Sequence, residues 1–368
     1  MLPNAYTNTM SRRRFCKSLL AISASICITP ALSSCSVHAP DLFASAYTDN
    51  QGKHFVGWFD QNGNVLGSVS IESRAHDLCY VPHDHSLLAF SRRPGRTMYV
   101  IDIKAKKIKL QIDSGDNHHF FGHGVLSSDG KRLYTTENRF DDSYQAYQGL
   151  VVVRNTRDYK VEARFNSGGI GPHQLAMLKH QDTLVVANGG IHTHPASPRT
   201  KLNIDTMKPN LSYIDIGTGQ VVEQVMPPDH QLSTRHLCLS GDDTVYVGCQ
   251  YQGPAHHIQP LVFSHNRGSQ LEALTANDTQ WRSFKQYIAS LAVSHDGNTL
   301  AVTSPRGGVV GHWNRRSKTL QHIETKIDCA GIAPLKDTFI SSTGNGALYA
   351  KKQQINHALH WDNHMINI

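Results

Sequence analysis

The chain has 368 residues, with 36 Lys and Arg against 29 Asp and Glu and a formal charge of +7. Arg12, Arg13, Arg14 and Lys17 precede the first acidic residue, Asp41, so subtracting residues 1–35 lowers the charge to +3; no later Lys/Arg cluster carries interleaved aromatics, which leaves no case for nucleic acid. No later apolar run is long enough to span a bilayer, and GxSxG, P-loop, HExxH, CxxCH and strand-to-helix GxGxxG motifs are all missing.

The amino-terminal segment 1–35 reads as an export signal, with a basic start, a modestly apolar middle and small residues before a cysteine. Ser11-Arg12-Arg13-Arg14-Phe15-Cys16-Lys17 resembles the twin-arginine (Tat) consensus, whose cargo folds before export. Leu32-Ser33-Ser34-Cys35 resembles a lipobox, which would lipidate Cys35 and attach a periplasmic protein to the membrane through the lipid alone. The plainer alternative is a cleaved signal with an incidental cysteine. Residues 36–41 follow as a short linker. Cys79, Cys238, Cys249 and Cys329 remain beyond the signal, widely spaced and without a CxxC pair, and are expected as buried free thiols.

From residue 42 onward the sequence repeats. The module "GHGVLSSDGKRLYTTEN" (122–138) recurs around 76–95, 171–190, 235–253, 287–308 and 329–346. Each copy has an apolar strand, a tight polar turn, a second apolar strand and a polar exit, the pattern of a β-hairpin. A third strand follows ("MYVIDIKAKK", "LVVVRNTRDYK", "LSYIDIGTGQ"), then a more polar fourth ("KIKLQID", "VEARFN", "VVEQVM"). Four antiparallel strands at this spacing make a propeller blade. Residues 42–72 give a seventh unit that lacks its first strand, and the tail has residues to spare. The expected fold is therefore all-β: a single seven-bladed β-propeller of four-stranded antiparallel blades over 42–368, closed by the two termini, with Met365–Ile368 as the missing inner strand.

In such a blade the Asp/Gly turns fall on one face, whereas the starts of the inner strands and the ends of the second strands converge on the other. That places His76, His123, Asn138, His173, Asn188, Arg235, His236, Gln250 and Arg306 around one funnel, the expected ligand-binding face. The long connection 188–210, carrying His192 and His194, is expected to cover part of the mouth. Histidines 123, 173 and 236, with His76, admit a metal centre of copper, iron or zinc, or else each imidazole bonds a neighbouring blade; His76 and His173 sit one or two residues out of register with the others. Arg235 and Arg306 suit a carboxylate or phosphate, or equally an inter-blade ion pair. Asp141, Asp142, Asp205, Glu137 and Asp328 are the acidic groups expected near the mouth.

The stretches "GHGV..S.DG..LYTTEN", "GIGPHQL", "VVANGGIHTHP", "LNIDTMKPNL", "RHL", "TSPRGG" and the terminal "WDNH" together resemble the bacterial family called domain of unknown function 1513. The resemblance implies a propeller-like exported protein, found beside imelysin-type proteins linked to iron acquisition, and brings no catalytic residues. The functional expectation is a lipid-anchored periplasmic propeller that binds a small ligand or a periplasmic protein partner at the His/Arg/Asn-lined face, within an iron or other metal acquisition system. The alternative is a metal-dependent redox or hydrolytic enzyme with its centre on the axial histidines.

Overall fold

A computed structural model describes residues 41–141, 147–197, 200–351 and 353–368. The expected export signal, Cys35, residues 36–40 of the linker and Asp142 lie outside the described residues. The described chain forms seven four-stranded antiparallel sheets. Blades 2 to 7 take their strands in chain order from the axis outward, over residues 75–113, 118–166, 172–225, 232–273, 290–325 and 329–356. Each inner strand touches the next, and the ring closes from blade 7 back to blade 1.

Strand identity follows from burial on the two faces of each blade. Second strands such as Ser86–Ser91 and Thr183–Asn188 are buried at every position, because both faces pack against neighbouring blades. They read as continuous apolar runs rather than alternating ones. The outermost strand Lys107–Asp113 is mostly exposed and correspondingly charged. The Ser-x-Asp turns lock themselves: Ser127 Oγ donates to Asp129 Oδ1 at 2.6 Å and the Lys131 amide to the same oxygen at 3.0 Å, and Ser294 repeats the contact with Asp296 at 2.5 Å. A short α-helix, Asp278–Ser283, interrupts the pattern; a capping box on Asn277 starts it, and Trp281 stacks on Trp313 at 5.6 Å.

Blade 1 is assembled from both ends of the chain. Strands Leu42–Asp49, His54–Asp60 and Val65–Ile71 receive Leu359–Asn367 as their inner member, with Phe43 paired to Asn367, Tyr47 to Trp361 and Asp49 to Leu359. The closing strand is thus nine residues long and starts earlier than the four expected from sequence. Trp361 fills the core between Tyr47 and Phe59, at 5.4 and 5.1 Å between ring centroids. Asp362, 2 % exposed, accepts from Arg74 Nε and from Arg92 Nη1 at 3.1 Å, tying the tail to blade 2.

Glu137 does not reach the rim as expected. It is buried within blade 3 and paired with Arg154 at 2.5 Å, with Thr135 Oγ1 donating to the same carboxylate at 2.8 Å. Cys79, Cys238, Cys249 and Cys329 are all free thiols, of which Cys249 and Cys329 are buried as expected and Cys79 and Cys238 are half-buried.

Deleting residues 361–368 removes the buried Trp361 and Met365 and opens an edge in blade 1. The expected loss is at least about 5 kcal/mol, from truncation of those two side chains alone. Denaturant unfolding of the truncated chain checks this; a midpoint equal to that of the full chain would show that the tail does not close the ring.

Candidate functional site

Five imidazoles meet on the axis: His364 from blade 1, His76 from blade 2, His123 from blade 3, His173 from blade 4 and His236 from blade 5. Going round in blade order, neighbouring ring centroids are 4.7 Å (His364 to His76), 4.9 Å (His76 to His123), 4.8 Å (His123 to His173), 4.7 Å (His173 to His236) and 4.9 Å (His236 to His364). The ring is folded rather than flat, since His123 also stands 4.8 Å from His364.

A register shift in each of the five inner strands brings these side chains to the axis. The pairing slips between Ala75 and Asp77, Phe120 and Gly124, Pro172 and Leu175, and Thr234 and His236, and opposite Ser45 and Tyr47 around residues 362–364. A bulge re-aims a side chain that regular alternation would leave facing a neighbouring blade. Bulges of different size also explain why the histidines look out of register in the sequence. Two glycines flank His123 for the same reason. Gly122 adopts φ +99° and a Cβ there would lie 2.8 Å from the His76 ring, while a Cβ on Gly124 would strike Phe90 at 2.4 Å.

The hydrogen bonding of the ring is one-sided. His123 Nδ1 is 2.8 Å from Asp77 Oδ2, an arrangement that fixes the proton on Nδ1 and leaves Nε2 as a lone-pair donor. His123 Nε2, His76 Nδ1, His173 Nδ1, His236 Nδ1 and His364 Nε2 are buried and have no hydrogen-bond partner among the described residues. Donor atoms of His76, His123 and His173 lie within 4.8 Å of one another, as do those of His123, His236 and His364. Burial, reinforced by the neighbouring imidazoles, holds His76, His173 and His236 well below the usual histidine range, and burial brings His364 to about 4. Burial alone would raise the Asp77 carboxyl, but its contact with His123 outweighs that and holds it low. His76, His173, His236 and His364 are therefore neutral at physiological pH, the form that binds metals.

Above the ring a funnel of about 230 Å³ is lined by His76, His173, His236, Arg92, Arg93, Lys201, Arg235, Gln250, Gln252, Tyr287, Arg306, Phe121 and Asn363. Lys201 comes from the long 188–210 connection, which thus contributes to the mouth as expected, and Arg93 donates to Thr193 of the same connection at 2.9 Å. Arg235, on the bulge beside His236, is buried, and its Nε has no partner among the described residues. Arg306 lies over the Tyr287 ring at 4.3 Å.

Of the residues expected at this face, His76, His173, Arg235, His236, Gln250 and Arg306 line the funnel, and His123 lies directly beneath it. The two asparagines do not line it. Asn188 spends its amide on Ser167 O, Asn210 Oδ1 and Ser212 Oγ at 2.9, 3.0 and 3.1 Å, knitting blade 4 together. Asn138 is buried in blade 3, beside Gly149 on the third strand and His119 on the first. Sequence reasoning missed His364, which stands one residue before the segment expected to close the ring; extending that strand by a single position would have found it. It also missed Asp77 and Asp362, the carboxylates that adjoin the ring, because they fall inside strands rather than in the loops of the mouth.

Among solved structures the fold is similar to hydrazine synthase of Kuenenia stuttgartiensis, at 16 % identity and a TM-score of 0.60, over 85 % of this chain and 95 % of that one. It is also similar to the Cps50 (Swd1) β-propeller domain of Myceliophteria thermophila, at 13 % identity and a TM-score of 0.56, over 83 % and 93 % of the two chains. At such identities the likeness concerns the fold. Comparison with curated proteins gives no match. A family model matches residues 69–368, which span every inner strand that carries a histidine of the ring, and the chain belongs to the family described as protein of unknown function (DUF1513).

Proposed function

We propose that this propeller binds a first-row transition-metal ion on its axial histidines and presents it to a ligand or protein partner at the funnel. The observation that carries the reading is the set of five buried imidazole nitrogens without a hydrogen-bond partner among the described residues, one of which, His76 Nδ1, stands 3.6 Å from Asp362 Oδ1. Each such atom costs about 1–3 kcal/mol when left unsatisfied, and five converging on one spot make a structural role for the ring expensive. A bound ion satisfies several of them at once. All-imidazole donors suit copper, zinc, iron or nickel, with copper favoured by intrinsic affinity. The Asp77–His123 contact supplies the outer support that orients a ligating imidazole.

A role in metal acquisition, export by the Tat route and attachment through Cys35 form part of the same reading, supported by the residues of segment 1–35. A second reading, a metal-dependent redox or hydrolytic enzyme, draws on one feature. His76, His173 and His236 line the funnel floor, so an ion held by them would keep a coordination position open toward solvent, as catalytic sites do.

Protein purified from a cell envelope fraction is expected to carry about one metal ion per chain. After chelation, titration with copper(II), zinc(II) and iron(II) should show one tight site, weakened at least about 100-fold in a His123→Gln, His236→Gln double variant. Exposed pairs such as His256 and His257 supply the weak background. Equal, weak binding by both proteins would remove the metal. Steady-state turnover with a tightly retained ion favours the enzyme; ready exchange of the ion favours a carrier.

The lowered histidines also set the pH dependence of the metal-free protein. Their folded values lie below the ordinary 6.5, so the unfolded chain binds more protons under pH 6.5. Stability is full above that pH and falls as the pH drops toward about 4, by up to about 1.4 kcal/mol per unit for each group. Thermal melts of chelated protein should show a clear loss between pH 7 and 5, reduced in His364→Gln. A flat profile over that range would mean that the imidazoles are not held neutral.

Fractionation tests the anchor. Wild-type protein is expected with the membranes and a Cys35→Ser variant in the soluble periplasmic fraction. The same distribution for both would exclude lipidation at Cys35.

A further inference from the structure

We infer that the funnel above the imidazole ring is a site for a small multivalent oxyanion, a carboxylate or phosphate compound, seated on Arg235, Arg306 and Lys201. The inference deepens the metal reading, and rests on it only for the added step that an oxygen of the anion completes the coordination of the ion.

The charge of the lining carries the argument. Arg92, Arg93, Lys201, Arg235 and Arg306 contribute five cations to the funnel, and none of its lining residues is acidic. Of the five, Arg92 is paired with Asp362, a carboxylate that Arg74 also engages. Arg235 is the most telling of the five. It is 9 % exposed, its Nε has no partner, and no carboxylate of the described residues lies within ion-pair distance of it. Keeping a guanidinium mostly out of water on the wall of a funnel, without a protein counterion, is unfavourable, which favours an anion that joins it there. Gly189 makes the room, since a Cβ at that position would lie 3.2 Å from the guanidinium carbon. Mutual repulsion of these cations adds to burial in lowering their pKa values. Burial, then Arg93, brings Arg235 down to about 10, and burial followed by Arg235 and Arg306 lowers Lys201.

Size and chemistry narrow the occupant. A volume of about 230 Å³ is smaller than the pockets that hold drug-sized organic ligands, roughly 300–1,000 Å³. Guanidinium forks match carboxylate and phosphate oxygens in pairs, and Gln250 and Gln252 add neutral donors and acceptors on the same wall. Arg235 and His236 are consecutive on one bulged strand. An anion on the first is therefore adjacent to an ion on the second, which gives the oxyanion a route to direct coordination.

Calorimetry at low ionic strength, with succinate and inorganic phosphate as probes, tests this on chelator-stripped and metal-loaded protein. The stripped protein is expected to bind at least one of the two with a Kd of about 1 mM or below. Arg235→Gln and Arg306→Gln should each weaken binding about tenfold or more, while Arg306→Gln leaves metal stoichiometry at its wild-type value. In the loaded protein the anion should bind more tightly, and should raise metal affinity by the same factor. Preference for succinate or for phosphate identifies which oxyanion class the funnel takes. Absence of binding to both, equal binding by wild type and both variants, or a signal matched by chloride at the same ionic strength would overturn the inference. Anion binding without any metal site would leave the funnel standing and remove the metal reading; metal binding without any anion would do the reverse.

Discussion

The axial site exists because the ring closes with a strand from the opposite end of the chain. Pairing of Leu359–Asn367 with Leu42–Asp49 removes the open edge that any sheet must otherwise cover. The same nine residues place Trp361 in the core, Asp362 against Arg74 and Arg92, and His364 in the imidazole ring. Closure, the inter-blade ion pairs and the fifth imidazole therefore all depend on one strand. A chain that fails to close keeps four histidines on separate blades with nothing to hold them at 4.7–4.9 Å from one another.

Closure alone would leave the histidines pointing between blades. Local bulges in five inner strands turn them to the axis, and small residues admit the turn, Gly122 against His76 being the clearest case. Hydroxyls staple the blades where regular pairing is lost: Thr136 Oγ1 donates to the His173 carbonyl at 2.9 Å and Thr303 Oγ1 to the Ala330 carbonyl at 2.6 Å. Blades 6 and 7 use the same architecture without contributing an imidazole. Their inner strands, Ser290–Val293 and Cys329–Leu335, carry no histidine. The propeller itself thus needs no axial histidine, which supports the proposed role of the five in binding.

Much of this is legible in the amino-acid order alone. Turn spacing, continuous apolar second strands and polar fourth strands are direct consequences of burial on two faces or one, so blade number and order can be counted. The convergence of His76, His123, His173 and His236 follows from blade topology. Register does not, because a bulge is a property of tertiary packing, and a period-two reading carries no sign of where one residue will be skipped. Asn138 and Asn188 look like funnel residues in sequence, since they end apolar strands, yet the strand around Asn138 runs on to Phe140 and Asn188 turns its amide into the blade. Glu137 misleads for a related reason: its partner Arg154 lies on the next strand, where the sequence shows only a basic residue after an apolar run.

X-ray absorption at the metal edge of the loaded protein tests the central claim most directly, because it reports which atoms surround the ion. Nearest neighbours of nitrogen at about 2.0–2.1 Å, with the more distant scattering of three or more imidazole rings that diminishes in His236→Gln and His364→Gln, are the predicted result. Neighbours that are mainly oxygen, or a spectrum unchanged by both substitutions, would contradict an ion held on the axis.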